Sequence, residues 1–286
     1  MPRVLIAGCG YLGQAVAELL FADGWEVDGL TMSPDSARQL ATKPYPVRAV
    51  DISQADQVRA LQGDFDAVVH CASTRGGDAD SYRQVYFDGA RNLLERFGNS
   101  RILFTSSTSV YAQESGERVT EKSSAEPKHE NGRILREAED LILANRGTVI
   151  RLGGIYGPGR SALLKKYLSG DAILDSENDR FVNQIHRDDA AAAIQLLIKR
   201  RESSGEIYNM VDDDPILQSE CYRWLATTLD RPVPATGRST SKRKRGDSNK
   251  RVSNAKLRAI GWMPRFPNFA EGMGKSVLPS FNLGVA

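Results

Sequence analysis

Three glycines with the spacing Gly8-x-Gly10-x-x-Gly13 lie close to the start of the chain. They follow the apolar run Val4–Ala7 directly and open a segment whose leucines and valine recur at helical spacing. Glycines in such a turn let the backbone approach a diphosphate, and the N-terminus of the next helix offers N–H groups and a positive partial charge to that anion. A glycine-rich turn without a ligand would leave unexplained why the helix begins there without a capping side chain. We therefore predict a dinucleotide site formed by Gly8, Gly10, Tyr11, Leu12 and Gly13.

The kind of dinucleotide depends on the end of the second apolar run, Trp25–Thr31. A site that recognises the ribose 2′-hydroxyl has an acidic residue about 20 positions after the loop. That corner reads Thr31-Met32-Ser33, with no acid to repel a 2′-phosphate and no arginine to attract one before Arg38. We predict that these three residues contact the cofactor, and the choice between NAD and NADP stays open.

A basic stretch stands near the end of the chain. Residues 238–251 contain seven Lys or Arg residues and one acid, Asp247. Such a cluster can be a solvated loop, can hold an anionic substrate, or can bind nucleic acid. No aromatic residue is interleaved to stack on bases, which disfavours binding of single strands. We expect no nucleic-acid partner.

Composition excludes several classes of protein. The 286 residues are 41% hydrophobic and 26% charged, and the net charge of +2 predicts no global attraction to nucleic acid or to a membrane. Cys9, Cys71 and Cys221 are isolated, and no histidine forms a ligand spacing with them, so we expect free thiols and no metal site. The first apolar run is too short for a secretory signal. Together these features predict a reducing, cytoplasmic location.

Apolar runs alternate with helical periods through the first half of the chain. Short, largely β-branched runs predict six buried strands, at Val4–Ala7, Trp25–Thr31, Val47–Val50, Ala67–Ala72, Ile102–Thr105 and Val149–Leu152. The segments between them have helical spacing, most clearly Tyr82–Phe97 and Ile134–Ile142. This alternation predicts an α/β fold, a Rossmann-like doubly wound parallel sheet with helices on both faces.

The rhythm changes after the sixth run. Residues 153–160 hold four glycines and a proline, which indicates a functional loop. A helix over Ala190–Lys199 follows, and then a strand over Ile207–Val211 that would be added to the sheet. We expect a dinucleotide-binding domain over residues 1–155. A smaller, interleaved substrate-binding part over residues 156–286 would close over the carboxyl edge of the sheet.

Six further motifs occur in an order that resembles the extended short-chain dehydrogenase/reductase superfamily, of the NAD-dependent epimerase/dehydratase type. The resemblance covers most of residues 1–275. Its motifs are Asp51-Ile52, Asp66–Ala72, Thr105–Tyr111, Arg151–Arg160, Phe181–Asp189 and Ile207–Asn209. Six motifs in family order are far more specific than the glycine loop alone.

The resemblance implies roles for individual residues. It gives Ser107 the position of the catalytic hydroxyl, places Tyr111 beside it, and makes Asp51-Ile52 the pair that contacts the adenine ring. The remaining cofactor contacts that it implies are Cys71, Ala72, Ser73, Ser106 and Ile155. The substrate contacts that we expect are Tyr156, Arg160, His186, Arg187 and Lys250.

The chain departs from the family in the catalytic helix. Family members use a Tyr-x-x-x-Lys pair, in which the tyrosine exchanges a proton with the substrate and the lysine lowers the tyrosine pKa. Here Asn131 and Leu135 stand at these two positions. Neither side chain titrates near neutral pH, and Arg136 lies about 100° around the helix from Leu135. Two replacements stay open: a phenol from Tyr111 or Tyr156, and a titrating group from Lys128 or His129.

The sequence thus predicts an NAD(P)-binding, epimerase/dehydratase-like protein with an altered catalytic site. Its substrate would be small and anionic, and nucleotide sugars are one such class. The alternative is a non-catalytic dinucleotide sensor that regulates a partner, which the Asn131 and Leu135 replacements favour. The helices Tyr82–Phe97 and Ile134–Ile142 are expected either to form the face of a homodimer or to pack on the sheet.

Overall fold

Seven parallel strands form the central sheet. The computed structural model describes residues 1–74, 76–238 and 248–281. The sheet has the order β11-β7-β5-β4-β1-β2-β3. Its strands are β1 (Arg3–Ala7), β2 (Glu26–Thr31), β3 (Val47–Ala49), β4 (Ala67–His70), β5 (Arg101–Ser107), β7 (Thr148–Leu152) and β11 (Ile207–Met210). The predicted Rossmann-like class is therefore confirmed, including the late strand added at the edge.

Helices cover both faces of this sheet, because the strands are apolar on both sides. The longer ones are α1 (Tyr11–Ala22), α5 (Gly89–Phe97), α6 (Glu130–Ala144), α8 (Arg187–Lys199) and α9 (Gln218–Thr228). Shorter ones are α2 (Pro34–Gln39), α3 (Ala55–Arg59), α4 (Ala79–Tyr82), α7 (Ala162–Leu168), α10 (Ala255–Ala259), α11 (Phe269–Gly272) and α12 (Leu278–Ser280). A π-helical segment, Arg83–Asp88, joins α4 to α5 within the predicted helix.

Two apolar cores lie on opposite faces of the sheet. One packs α1 and α8 against residues such as Val4, Ile6 and Ile150. The other packs α5 and α6 against residues such as Leu5 and Phe104. Helix α8 belongs to the first core although it comes after residue 156, so chain order alone does not separate the two predicted parts.

A third apolar core gathers the later segments. It includes Tyr156, Leu164, Tyr222, Phe269 and Met273. Short strand pairs attach these segments to the body, through β8 (Gly154–Tyr156) with β10 (Gln184–His186), β9 (Phe181–Val182) with β12 (Ile216–Leu217), and β6 (Glu117–Val119) with β13 (Lys250–Val252). Most of the basic stretch, residues 239–247, lies outside the described residues.

A buried ion pair joins α6 to the sheet. Glu139 on α6 and Arg151 on β7 are 0% and 2% exposed, and Arg151 Nη2 lies 2.7 Å from Glu139 Oε2. Ser106 on β5 donates its hydroxyl to Glu139 Oε1 at 2.6 Å, and Arg136 pairs with the same carboxylate. Because a buried charge needs such partners, this network fixes the position of α6 over the carboxyl end of the sheet.

Replacing Glu139 should therefore cost stability. We expect Glu139→Ala to lower the free energy of unfolding by about 3–5 kcal/mol, because the variant leaves the Arg151 guanidinium buried without its counter-charge. Urea unfolding measures the change. The matched control is Glu137→Ala on the same helix, which breaks a half-exposed pair with Arg83 and should change stability by roughly 0.5 kcal/mol or less. Equal effects of the two variants would contradict the importance given to the buried pair.

Candidate functional site

The glycine loop lies between β1 and α1, at the carboxyl edge of the sheet. Its turn is held by the N–H groups of Gly8 and Cys9, which donate to the Leu30 carbonyl at 3.1 and 2.7 Å. Gly10 caps α1 without any side-chain hydrogen bond. The first N–H groups of a helix have no partner within the helix, so those of α1 stay available to an anion.

Each loop glycine has its own physical reason. A Cβ on Gly8, whose φ is +104°, would lie 2.2 Å from the Ala72 nitrogen, and a Cβ on Gly13 would lie 2.1 Å from the Gly8 oxygen. Gly10 differs, because a Cβ there would meet nothing within 4 Å. Two glycines therefore let the backbone pack closely, and the third leaves open space in front of the helix. The loop fits a diphosphate group.

The corner after β2 contains no carboxylate in its three predicted residues. The Thr31 hydroxyl donates to the Ser33 carbonyl at 3.3 Å, and the Ser33 side chain caps α2 by accepting from the Ser36 N–H at 3.2 Å. Met32 is 73% exposed. Arg38 pairs with Asp35 on the surface. The corner offers hydroxyls and an exposed apolar side chain, so it sets no charge preference between NAD and NADP.

The turn after β3 holds the predicted adenine pair. The Asp51 carboxylate accepts from the N–H and the hydroxyl of Ser53, at 3.0 and 2.8 Å, and stabilises this turn. The Ile52 side chain is buried in the second core, and its carbonyl accepts from Asn92. Of this pair, Asp51 can offer its side chain to a ligand, whereas Ile52 can offer only backbone.

Three residues after β4, and Ile155 on β8, also belong to the predicted cofactor site. The Cys71 N–H donates to the Ala7 carbonyl at 2.7 Å, which places Cys71–Ser73 against the glycine loop. The Ser73 side chain is exposed. Ile155 is half-buried on β8 and packs against the first core. Cofactor contacts by these four residues stay predictions.

The end of β5 gives its two serines different environments. Ser106 is buried, and its hydroxyl donates to Glu139. The Ser106 hydroxyl thus has a buried partner, and a cofactor contact by this residue stays a prediction. Ser107 is half-buried, and its hydroxyl oxygen accepts from the Ser109 N–H at 3.1 Å. Since its own proton is not used in this contact, Ser107 can still donate to a ligand.

Tyr111 faces the interior. It is 0% exposed, its hydroxyl donates to Asn209 Oδ1 at 2.8 Å, and it accepts from Arg151 Nη1 at 2.9 Å. Burial raises the pKa of this phenol. Both hydrogen bonds hold the Tyr111 hydroxyl in the interior, and its catalytic role stays a prediction.

Helix α6 carries Asn131 and Leu135, the two positions that the resemblance relates to the family's tyrosine and lysine. Asn131 lies in the first turn of α6 and is half-buried. Its side-chain amide donates to the Gly77 carbonyl at 3.4 Å. Leu135 is buried in the second core. Just before the helix, Lys128 pairs with Glu114 at the surface and His129 is exposed. Asn131 can hydrogen bond a ligand, but it cannot exchange a proton with one.

Tyr156 and His186 belong to the interior of the later segments. Tyr156 is buried in the third core, where its hydroxyl points to the Asn268 carbonyl at 3.5 Å. His186 caps α8 through Nδ1, and its Nε2 lies 2.8 Å from the Ser276 hydroxyl. Burial lowers the pKa of His186 to about 4, so the ring is neutral. Both side chains are buried, and substrate contacts by Tyr156 and His186 stay predictions.

Arg160 and Arg187 meet beside the glycine loop. Each guanidinium carbon lies 5.0 Å from the centroid of the Tyr11 ring. The Tyr11 hydroxyl donates to the Pro158 carbonyl at 3.0 Å. Arg187 also pairs with Asp188, whereas Arg160 is exposed and has no carboxylate partner within the described part of the chain. The two expected substrate contacts therefore lie next to the predicted diphosphate site.

Lys250 is a buried cation near the same edge. Its side chain reaches the Tyr111 carbonyl and the Ser248 hydroxyl, both at 2.8 Å. Burial, and the nearby positive charge of Arg180, lower the pKa of Lys250 to about 8. Its role as a substrate contact stays a prediction.

Sequence reasoning missed the residues that position these groups. Asn183 donates its amide to the Lys250 carbonyl at 2.9 Å and accepts from the Val252 N–H at 2.7 Å. Its own carbonyl accepts from the Gly154 N–H. Glu139 was not singled out either. A lone asparagine or glutamate has no spacing signal that would reveal such a contact.

Within residues 1–74, 76–238 and 248–281, no helix is both long and apolar enough to cross a membrane. In the same ranges, no group of three or more His, Cys, Asp or Glu side chains could hold a metal ion.

Comparison with known proteins identifies the family. The model of the NAD dependent epimerase/dehydratase family matches residues 4–210. Protein YeeZ of Escherichia coli is 33% identical over 221 residues, which cover 73% of this chain and 77% of YeeZ. The chain belongs to the NAD-dependent epimerase/dehydratase family.

Solved structures give the same fold. A putative NAD-dependent epimerase/dehydratase from Methylobacillus flagellatus is 31% identical, with a TM-score of 0.78 over 96% of this chain and 97% of the other. The UDP-glucose 4-epimerase of Thermus thermophilus, solved in complex with NAD, has a TM-score of 0.82 over 100% of both chains. At 22% identity, the second likeness shows the fold alone.

The buried Tyr111 hydroxyl gives a testable prediction. We expect Tyr111→Phe to lower the free energy of unfolding by about 1–3 kcal/mol, because Asn209 and Arg151 each lose a buried partner. Cofactor affinity should not change. The control is Tyr208→Phe, since the Tyr208 hydroxyl has no hydrogen bond to any residue in the structure as described. If Tyr111→Phe kept the wild-type stability but no longer turned over substrate, the result would support a catalytic role for Tyr111.

Proposed function

We propose that the protein is an NAD(P)-dependent enzyme of the epimerase/dehydratase type that acts on a small anionic substrate. Nucleotide sugars are the substrate class to test first, since the UDP-glucose epimerase shares the fold. The observation that carries the proposal is the open space before α1, where Gly10 and the uncapped N–H groups fit a diphosphate. When bound, the nicotinamide would accept a hydride and return it. The three unpaired cysteines favour a cytoplasmic location.

Individual residues of the chain would have different roles in this site. The N–H groups of Tyr11 and Leu12 would hold the diphosphate, and Asp51 would face the adenosine. Ser107 would donate a hydrogen bond to the substrate oxygen, in the position that the family uses for its catalytic hydroxyl. Lys250 would supply positive charge to an anionic substrate.

The alternative function is a non-catalytic dinucleotide sensor. Asn131 and Leu135 favour it, because neither titrates near neutral pH, and Tyr111 is enclosed in the core. The two functions share the cofactor and differ in turnover. A homodimer through the helices at residues 79–97 and 130–144 stays a prediction that sedimentation would test.

The first experiment is a titration of cofactor-stripped protein with NAD⁺, NADH, NADP⁺ and NADPH in parallel. We expect micromolar binding of at least one pair. Incubation with UDP-glucose and dTDP-glucose then separates enzyme from sensor, through the absorbance of the reduced nicotinamide and analysis of the sugar products. Binding of no dinucleotide would remove both functions together.

Gly10 offers a test of the loop itself. We expect Gly10→Ala to weaken dinucleotide binding at least about tenfold while leaving the melting temperature unchanged, because the new methyl group enters the open space and touches no protein atom. Gly274→Ala is the control, since a Cβ there only reaches Trp224 at 4.0 Å. Unchanged affinity in Gly10→Ala would mean that the diphosphate lies elsewhere.

A substitution at Arg160 tests whether the arginines beside Tyr11 contact the cofactor or the substrate. Because it lies against Tyr11, we propose that it contacts the cofactor diphosphate rather than the substrate. Arg160→Ala should then raise the Kd of the dinucleotide about tenfold and reduce its dependence on salt. Arg59→Ala, on the surface of α3, should change neither. If only UDP-glucose binding weakened, the substrate assignment would stand instead.

A further inference from the structure

Lys250 is a buried ammonium that no carboxylate neutralises within the described residues. It is 5% exposed, and its two hydrogen-bond acceptors are neutral, a carbonyl and a hydroxyl. An ammonium has three N–H groups, so one N–H remains beyond these contacts. Because burial of an unpaired charge is costly, this arrangement points to a function in ligand binding or proton transfer.

The fold holds this amine against the turn that follows β5, the strand that ends at Ser107. Tyr111, whose carbonyl it contacts, ends the short turn that begins after Ser107 on β5. Asn183 fixes Lys250 to the segment that follows β7, through the Gly154 N–H. Strands β5 and β7 are neighbours, with Ser107 opposite Leu152. The Lys250 amine therefore lies against the turn after β5, and its backbone is tied to the segment after β7.

Four other titratable side chains near these strand ends are buried and have partners in the interior. The phenols of Tyr111 and Tyr156 lie in the core. His70 is also buried, with Nε2 against the Val85 carbonyl, and burial lowers its pKa to about 4. His186 is neutral and caps a helix. Lys128 and His129, just before α6, are exposed, and Lys128 pairs with Glu114. The buried site therefore needs another group for the proton exchange that the family assigns to its tyrosine.

We propose that Lys250 exchanges a proton with the substrate in this site, in place of the missing tyrosine. The inference rests on the proposed function. In oxidation, the substrate hydroxyl gives its proton to the neutral Nζ while the same carbon gives a hydride to the nicotinamide, so that a carbonyl and an ammonium result. In reduction, the ammonium returns its proton to the carbonyl oxygen as hydride is returned to carbon.

The electrostatic surroundings suit this role. Burial and the positive charge of Arg180 both favour the neutral amine, and they lower the pKa of Lys250 to about 8. The other charged side chains on β6 and β13 have partners: Glu117 accepts from the Ser115 N–H, Arg118 donates to the Ser253 hydroxyl, and Arg251 donates to the Gly116 carbonyl. Near neutral pH, the amine can therefore both accept and release a proton.

The first test measures the titration of Lys250 directly. Protein labelled with ¹³C and ¹⁵N in lysine, saturated with NAD⁺ or NADP⁺, is followed by NMR from about pH 6 to 11, and Lys250→Met identifies the signal. We expect the Lys250 signal to titrate near pH 8, below the ordinary pKa of a lysine. A Lys250 signal that titrates with the surface lysines would overturn the proposal.

The second test separates proton exchange from simple anion binding. With UDP-glucose or dTDP-glucose as probe, the rate of cofactor reduction should rise with pH to a plateau above about pH 8. Lys250→Arg keeps the positive charge but not the exchangeable proton. We expect it to bind the probe as wild type does and to lose about 100-fold or more in rate. Lys256→Arg, which alters a surface pair with Glu206, is the control.

Each outcome decides between interpretations. If Lys250→Arg kept the wild-type rate and pH profile, Lys250 would be an anion contact only. Wild-type protein that binds both cofactor and probe without turnover at any pH would also count against proton exchange. Absence of cofactor binding would instead refute the proposed function, and the direct binding titration distinguishes that failure from the other two.

Discussion

The buried Glu139 carboxylate constrains the whole carboxyl edge of this sheet. A charge withdrawn from water must be matched by partners inside, and Glu139 is matched by Arg151, Arg136 and the hydroxyl of Ser106. These contacts join α6 to β5 and β7. They thereby fix where the substituted catalytic positions on α6 lie relative to the serine at the end of β5.

This network also determines which polar side chains at the sheet edge have interior partners and which can contact a ligand. Arg151 engages the Tyr111 hydroxyl, and Asn209 completes its hydrogen bonding, so the phenol next in sequence to the serine turn becomes a structural group. The cations that remain at the edge come from later segments: Lys250 from β13, and Arg160 and Arg187 around Tyr11. Cationic side chains near this edge thus come from segments late in the chain, and not from α6.

Much of the fold could be predicted because its signals are local. The strands and helices of the first half follow from apolar runs and helical spacing, and the loop at Gly8, Gly10 and Gly13 follows from the steric freedom of glycine. The substitutions at positions 131 and 135 were also visible, since they fall inside a motif of fixed spacing. In each case the residues that make the prediction lie within a few turns of one another.

The sequence by itself therefore determined the α/β class, the position of the glycine loop and the presence of Asn131 and Leu135 where the resemblance implies a tyrosine and a lysine. Only the tertiary structure decided which side chains face the edge. Tyr156 and His186 sit in motifs next to Arg160 and Arg187, yet their side chains contact residues 266–276. The two arginines instead meet Tyr11, near the start of the chain. Side-chain direction at such positions depends on packing between segments far apart in the chain, and local spacing does not encode it.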